Sequence, residues 1–207
     1  MTRLPLAAGL AACLLSGAAI AAPLSDDEFL SAFAVACLDG YADPGAQAAA
    51  VAAAGWLPVA DDANPVLERM LALARASLDQ AEEEEGYTGT AAVYGRDGGA
   101  AGPYLVTTIL EMPDRGEGAF GVLGCHLYDF EADAPLDPAP ITRRFDEEPV
   151  AVEDQPGIIV SVAWDIESIE GIWELRSTFI PRGSPGVDIT GFSGRVLILT
   201  SIRENGS

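Results

Sequence analysis

The sequence predicts an α+β fold in which N-terminal helices pack on one face of a mainly antiparallel sheet of about six strands. Apolar residues recur every three or four positions over residues 25–80, which is the period of amphipathic helices. Over residues 88–203 they alternate with polar residues instead, as in half-buried strands. Because the helices come first and the strands follow, we expect one α+β domain over residues 22–207.

The first 21 residues have the pattern of a secretory signal peptide. Arg3 precedes an apolar run that ends in the small residues Ala19-Ile20-Ala21, an A-x-A cleavage site. Two alternatives stay open: Cys13 ends a lipobox-like stretch that would carry a lipid anchor, and residues 4–22 are nearly long enough for an uncleaved membrane anchor. Cleavage predicts a periplasmic or secreted protein with no membrane span in the mature chain.

The charge balance is strongly acidic. The chain has 32 acidic and 11 basic residues, for a net charge of −21, and every basic residue is arginine. Such an excess either keeps a protein soluble or attracts a cationic partner. It argues against nucleic-acid binding, because a negative surface repels phosphate.

A capping box predicts the start of the first helix. Ser25 and Glu28 have the spacing in which each side chain caps the other's backbone N–H. We expect the helix over Asp26 to Leu38, ending before Gly40. The apolar residues of its buried stripe are Phe29, Leu30, Phe33 and Cys37.

Two further helices are predicted from a capping side chain followed by proline. Asp43-Pro44 opens an alanine-rich helix that ends at Gly55, and Asn64-Pro65 opens a third helix. We end the third helix near Gln80, because the acidic run Glu82–Glu85 is unfavourable at a helix C-terminus. That run is expected to be a solvated connector.

Turn residues separate six predicted strands. These strands are Thr88–Tyr94, Tyr104–Met112, Phe120–Phe130, Ile158–Asp165, Ile172–Ile180 and Gly194–Ile202. The connections are too short for crossover helices except at residues 131–156, where prolines and Asp-rich turns replace a helical stripe. The sheet is therefore predicted to be mainly antiparallel.

The stretch Gly116–Gly121 has the glycine spacing of a dinucleotide-binding turn. That site needs a following helix, whose N-terminus meets the pyrophosphate. Here the sequence continues as an alternating strand, and Glu117 would repel phosphate. The stretch is therefore predicted to be a hairpin connection, and no cofactor is predicted.

Two cysteines remain once Cys13 is removed with the signal peptide. Cys37 lies on the apolar stripe of the first helix, and Cys125 lies on an apolar strand face with Leu123 and Leu127. An even pair in an exported chain predicts a disulfide, which would fasten the first helix to the sheet.

The sequence is poorly equipped for nucleophilic catalysis. It has one histidine and no lysine, and no nucleophile-elbow motif. Carboxylate chemistry is the alternative, because acids beside Trp164 and Trp173 are the pattern of a sugar-active site. The candidate carboxylates are Asp165, Glu167, Glu170 and Glu174. The simpler interpretation is a hairpin with both tryptophans buried, acids around its turn, and Glu174 exposed beside Arg176.

Two weaker site patterns occur in and after the third strand. His126, Tyr128 and Phe130 share the strand face opposite Cys125 and predict an aromatic contact patch, unless residues 131–156 fold over it. A second pattern alternates like the start of a calcium loop, although Ala134 stands where such loops have glycine. Its acids are Asp129, Glu131 and Asp133. No dedicated metal site is predicted.

The segments FLSAFAVACLDGYADPGAQAAAVAAAGW and GCHLYDF resemble a family of small exported bacterial proteins of unknown function. The likeness lies in a helical cysteine, an alanine-rich helix ending in Gly-Trp, and a later strand cysteine. It implies export and the disulfide, and it implies no activity.

The function predicted from the sequence is therefore that of an exported, non-catalytic binding module. Its partner is an unidentified protein or small molecule, and the charge favours a cationic one. The alternative is a carboxylate-based enzyme or carbohydrate-binding protein that uses the Trp164–Glu174 hairpin.

Overall fold

The computed structural model describes residues 24–41, 43–96, 102–113 and 120–204. The predicted signal peptide, Cys13 and most of the Gly116–Gly121 stretch lie outside these residues. Within the described ranges, none of the helices combines the length and the apolar character needed to cross a bilayer.

The described residues include five α-helices. They are α1 (Asp26–Phe33), α2 (Pro44–Ala53), α3 (Pro65–Glu85), α4 (Ala139–Phe145) and α5 (Gly186–Thr190). The Ser25–Glu28 capping box is confirmed, and Asp43 and Asn64 cap α2 and α3. The first helix continues past Phe33 as a π turn, Ala34–Leu38, so that its predicted length is confirmed while its last turn is wider than an α-helix.

The predicted end of α3 is wrong. The helix includes the acidic run and ends at Gly86, which adopts a left-handed conformation (φ 73°). Glutamate is a good helix former, and its repulsion from an exposed helix end costs only about 0.3–1 kcal/mol. A side-chain hydrogen bond from Gln80 to Glu84 (2.9 Å) further supports the last turns.

Eight strands in the described part of the chain form one sheet. They are β1 (Leu57–Pro58), β2 (Thr88–Gly95), β3 (Tyr104–Met112), β4 (Phe120–Asp129), β5 (Ala151–Gln155), β6 (Ile159–Trp164), β7 (Ile172–Ile180) and β8 (Gly194–Glu204). Their order is β1-β2-β3-β4-β8-β7-β6-β5, and every neighbouring pair is antiparallel. The α+β class and the antiparallel sheet are confirmed, as is the β3–β4 hairpin, but the sheet has eight strands rather than six.

The elements missed by sequence reasoning are short. β1 has two residues and includes a proline, and the five residues of β5 are all exposed, so neither shows an apolar alternation. α4 and α5 have seven and five residues. Elements of this length depend on tertiary packing rather than on local propensity.

Helices cover both faces of the sheet. We call the face that carries Cys125 the disulfide face, and the opposite face, which carries Tyr128, the α3 face. On the disulfide face, Phe29 and Phe33 of α1 and Ile141 of α4 pack on sheet residues. The main sheet residues of this core are Leu105, Cys125, Leu127, Leu175, Leu197 and Leu199.

The third helix contradicts the predicted one-sided packing. Leu67, Met70 and Leu71 of α3 pack against a second core on the other face of the sheet. Its sheet residues include Tyr104, Val106, Tyr128 and Val196, each adjacent in sequence to a residue of the first core. Successive strand residues point to opposite faces, so α3 lies across the sheet from α1. An apolar stripe in the sequence shows that a helix packs against a core, but it does not show on which face of the sheet the helix lies.

The predicted disulfide is present. Cys37 in the π turn and Cys125 in β4 are bonded, with their Cα atoms 5.6 Å apart, and both residues are buried. The bond ties the first helix to a central strand of the sheet.

Candidate binding cleft

A cleft on the disulfide face separates α1 and its π turn from α4. Its volume is about 420 Å³, within the range of roughly 300–1,000 Å³ that small-molecule sites occupy. The buried side chains of Leu175 on β7 and Leu197 on β8 lie at its base. The sheet therefore supplies an apolar floor, and the two helical segments supply the walls.

The walls of the cleft are apolar and its rim is charged. Leu30, Phe33, Ala34, Val35 and Leu38 line the first wall, and Pro140, Ile141 and Phe145 line the second. The polar lining residues are Asp27, Ser31, Asp39 and Arg144, all of them exposed. An apolar interior with a few polar groups at its mouth is the usual build of a ligand site.

The α1 wall is held at its C-terminal end by the disulfide and at its N-terminal end by Arg195. The Arg195 guanidinium on β8 is almost fully buried and pairs with Asp129 (Nη2 to Oδ2, 3.4 Å) and with Asp26. It also donates to the Leu24 carbonyl and lies 4.5 Å from the centre of the Phe29 ring. These contacts fix the start of α1 on the sheet.

Asp129 completes this N-terminal clamp. Its carboxylate accepts a hydrogen bond from the Leu24 N–H (3.2 Å), while its own position on β4 faces Arg195 across the ladder. Removing one partner of a buried ion pair strongly destabilises the fold, because the remaining charge stays buried without compensation. The clamp was not anticipated from the sequence, since its residues are far apart along the chain.

The α4 wall has fewer fixed contacts. Ile141 inserts into the core, and the Trp164 indole N–H donates to Thr142 Oγ1 (3.2 Å). The chain just before α4 is held by the Asp137 N–H, which donates to Asp26 Oδ2 (3.1 Å). One wall of the cleft is therefore covalently and ionically anchored, and the other rests on packing and single hydrogen bonds.

The electrostatics of the rim favour a cation at the Asp39 end. Asp39 caps the C-terminal end of the π turn, which is the negative end of the helix dipole. The opposing charge is Arg144, whose guanidinium lies 5.9 Å from the Phe145 ring centre. The lining thus carries two carboxylates and one guanidinium, in a chain of net charge −21.

Two other cavities lack this buried floor. A groove of about 490 Å³ on the other side of α1 is lined largely by exposed residues, including Glu28 and Val35. A groove of about 260 Å³ lies between α3 and β2–β3, with Leu71 and Leu78 on one side and Gly89 on the other. Of these three cavities, the α1–α4 cleft is the one with buried sheet residues at its base, and it is therefore the candidate ligand site.

The carboxylates proposed for sugar chemistry do not line any of these three cavities. Asp165, Glu167 and Glu170 are exposed in the β6–β7 connection, and Glu174 forms an ion pair with Arg176. That pair confirms that Glu174 and Arg176 share a face, but both side chains are half-buried rather than exposed. The sugar-active alternative stays a prediction.

The two tryptophans of this hairpin have opposite environments. Trp164 is buried as expected, but Trp173 is 61% exposed, which contradicts the expectation that both are buried. The β7–β8 ladder passes directly from Ile172 to Glu174, so Trp173 is the extra residue of a β-bulge. A bulge interrupts the alternation on which the prediction rested.

The predicted aromatic patch is not a contact surface. Tyr128 and Phe130 are buried, and the ring of Phe192 packs on both, with centroids 5.4 and 6.2 Å away. The alternative was that residues 131–156 cover these aromatic side chains. Instead, α3 and the segment around Phe192 cover them. Burial raises the pKa of the Tyr128 phenol.

The single histidine lies at the border of this buried cluster. His126 is partly buried, stacks beside Tyr128, and has Nε2 3.5 Å from Thr108 Oγ1. Gly124 makes room for it, because a Cβ there would come within 2.5 Å of Nε2. Desolvation lowers the pKa of His126 to about 4. A neutral imidazole packed on the sheet is a structural residue.

The weak calcium candidate is not assembled. Arg195 and backbone N–H groups engage the Asp129 carboxylate, and Arg182 pairs with Glu131 (2.7 Å). Asp133 is exposed. In the part of the chain that the structure describes, no three His, Cys, Asp or Glu side chains are grouped so as to hold a metal ion.

Comparison of the chain with protein-family models, with curated protein sequences and with solved structures found no match.

Proposed function

We propose that the protein is an exported, non-catalytic binding module that holds an amphipathic cationic ligand in the α1–α4 cleft. The observation that carries the proposal is the apolar floor of Leu175 and Leu197 beneath a rim that bears Asp27 and Asp39. The apolar part of the ligand fills the cleft, and its cationic group lies at the Asp39 end. The disulfide is consistent with export, because such bonds persist in oxidising compartments.

Binding rather than covalent catalysis is favoured by the lining residues. Ser31 is the one hydroxyl among them, and the lining holds no histidine or lysine to serve as its general base. The chain's only histidine, His126, lies on the other face of the sheet. A serine hydroxyl that has only carboxylates near it, and no imidazole or amine, is a poor nucleophile.

The cationic preference follows from the rim. Each exposed charge pair is worth up to about 1 kcal/mol, which is roughly a fivefold change in affinity. Among probes of equal chain length, we expect octylammonium to bind best, octanol next and octanoate least. Nine non-hydrogen atoms in an apolar cleft correspond to a dissociation constant of about 1 mM for octylammonium.

Isothermal titration calorimetry of the three probes tests the proposal. Ser31→Trp places an indole at the mouth of the cleft and should abolish binding, while Ser77→Trp, at an exposed position of α3, should leave it unchanged. Asp39→Asn should remove the preference for octylammonium, with Asp79→Asn as the exposed control. Equal binding of the three probes, or equal effects of the two tryptophan variants, would contradict the proposal.

A further inference from the structure

The two edges of the sheet are built differently. The β1 edge consists of Leu57 and Pro58, and proline has no N–H to offer a further strand. The β5 edge has five residues and no proline inside the strand, and Pro149 and Pro156 lie outside its two ends. In the described part of the chain, no strand follows β5 at this edge of the sheet. Its outward N–H and C=O groups are therefore open to pairing.

The β5 edge combines this open backbone with exposed apolar side chains. Val150 and Val152 are each 67% exposed. Val152 pairs with Val162 of β6, which belongs to the buried core of the disulfide face. Apolar surface thus runs from the core out to the edge, where an added strand would cover it.

The same edge is acidic. Glu153 and Asp154 lie in β5, and Glu147 and Glu148 precede it. None of these four takes part in the ion pairs found among the described residues. Along β5, Val152 and Asp154 point to the disulfide face, and Glu153 points to the α3 face.

We propose that the β5 edge binds an extended, cationic peptide segment as a ninth strand. The backbone of the segment supplies the main-chain hydrogen bonds of β-augmentation, and its side chains supply the specificity. Apolar side chains of the segment would pack on Val150 and Val152 on the disulfide face, and its arginine or lysine side chains would pair with Glu153 on the α3 face. This site is separate from the α1–α4 cleft and does not depend on it.

A second copy of the chain is the less favourable occupant. Pairing two β5 edges would bring Glu153 and Asp154 of both copies into one ladder. Like charges that face each other across strands are destabilising. The charge of the edge therefore selects a basic partner over self-association.

The test uses a fluorescein-labelled peptide of sequence RVRVRVR and the full mature chain, with binding followed by fluorescence anisotropy at 150 mM salt. A matched peptide N-methylated at every residue keeps the charge and loses all backbone donors. A second peptide, EVEVEVE, reverses the charge. We expect the parent peptide to bind about tenfold or more tightly than either control.

Two pairs of protein variants locate the site. Val152→Lys should weaken binding of RVRVRVR about tenfold, while Ile189→Lys, at the 78% exposed position of α5, should not change it. Glu153→Gln should weaken peptide binding several-fold. Glu83→Gln, at an exposed position of α3, should weaken it less. On binding, the outward amides of β5 should exchange their hydrogens more slowly.

Three results would overturn the proposal. Equal binding of the N-methylated peptide would mean that charge alone attracts it. Equal effects of Val152→Lys and Ile189→Lys would place the peptide elsewhere, and a dimer that Val152→Lys dissociates would make a second copy the occupant. Loss of peptide binding in Ser31→Trp, with Val152→Lys unaffected, would move the peptide to the cleft and leave the cleft proposal standing.

Discussion

Helices cover both faces of the sheet, but the helices on the two faces are held in place in different ways. On the disulfide face, a covalent bond at Cys37 and a buried ion pair at Arg195 fix α1 at its two ends. On the α3 face, α3 rests on apolar and aromatic packing around Leu71 and Tyr128, and its C-terminal half is mostly exposed. The candidate cleft lies on the anchored face. A wall that is fixed before binding loses little conformational entropy when a ligand arrives, which favours affinity.

The largest loss of stability is expected at the clamp of the disulfide face. Arg195→Met leaves Asp129 buried without its partner, which should lower the free energy of unfolding by about 3–5 kcal/mol. Urea denaturation measures this change. Adding Asp129→Leu to the variant should recover part of the loss, because no uncompensated charge then remains. If the single variant loses less than about 1 kcal/mol, Arg195 does not hold this face together.

Removing the disulfide should have the next largest effect. Replacing Cys37 and Cys125 together by alanine should lower the free energy of unfolding by about 2–5 kcal/mol, because the closed loop spans 88 residues. The matched measurement is the wild type with and without a reductant at the same urea concentrations. The alanine variant should not respond to the reductant, and a response there would show that the stabilisation comes from elsewhere.

A substitution on the buried side of α3 tests whether the two faces of the sheet act independently. Leu71→Ala should cost about 2–4 kcal/mol of unfolding free energy, because it leaves a cavity in the apolar core of that face. It should not change octylammonium affinity, whereas Arg195→Met should weaken it by loosening the α1 wall. Equal effects of both variants on affinity, measured at a temperature where both are folded, would mean that the two faces are not independent.

Acid should destabilise the α3 face through His126. Its pKa is about 4 in the folded protein and near 6.5 in the unfolded chain, so the unfolded state binds more protons between these values. His126 therefore leaves the free energy of unfolding unchanged above pH 6.5 and lowers it as the pH drops towards 4. Thr108 and Tyr128 contact the imidazole, and Arg176 lies two strands away on the same face. His126→Gln should show a smaller loss of unfolding free energy than the wild type between pH 7 and pH 4.5.

The smallest effect is expected at the exposed ion pair of α3. Asp61→Asn removes the partner of Arg75, and both side chains are largely solvated. The free energy of unfolding should change by less than about 1 kcal/mol, and less still at high salt. A larger change would indicate that the start of α3 contributes more to this face than its packing suggests.

Local signals in the sequence were sufficient for the longer elements. Capping residues placed the starts of α1, α2 and α3, and alternation placed β3 and β7 with both ends correct. The disulfide followed from two cysteines that each lie on an apolar stripe. These features depend on residues that are close along the chain or on a simple pairing rule.

The candidate cleft could not be predicted in this way. Its walls come from residues 27–39 and 140–145, and its floor comes from Leu175 and Leu197. No single stretch contains a recognisable motif, and the second wall is a seven-residue helix held mainly by tertiary contacts such as Trp164 with Thr142. The side of the sheet on which α3 packs was likewise undetermined, because amphipathicity specifies only that one side of a helix is buried.

The central claim is that the cleft between α1 and α4 binds the apolar part of a cationic ligand. Chemical-shift mapping of ¹⁵N-labelled protein during an octylammonium titration tests it most directly. The proposal predicts saturable shifts confined to α1, the π turn, α4 and the amides around Leu175 and Leu197. Shifts centred on the α3 face, or shifts that spread over the whole surface without saturating, would contradict it.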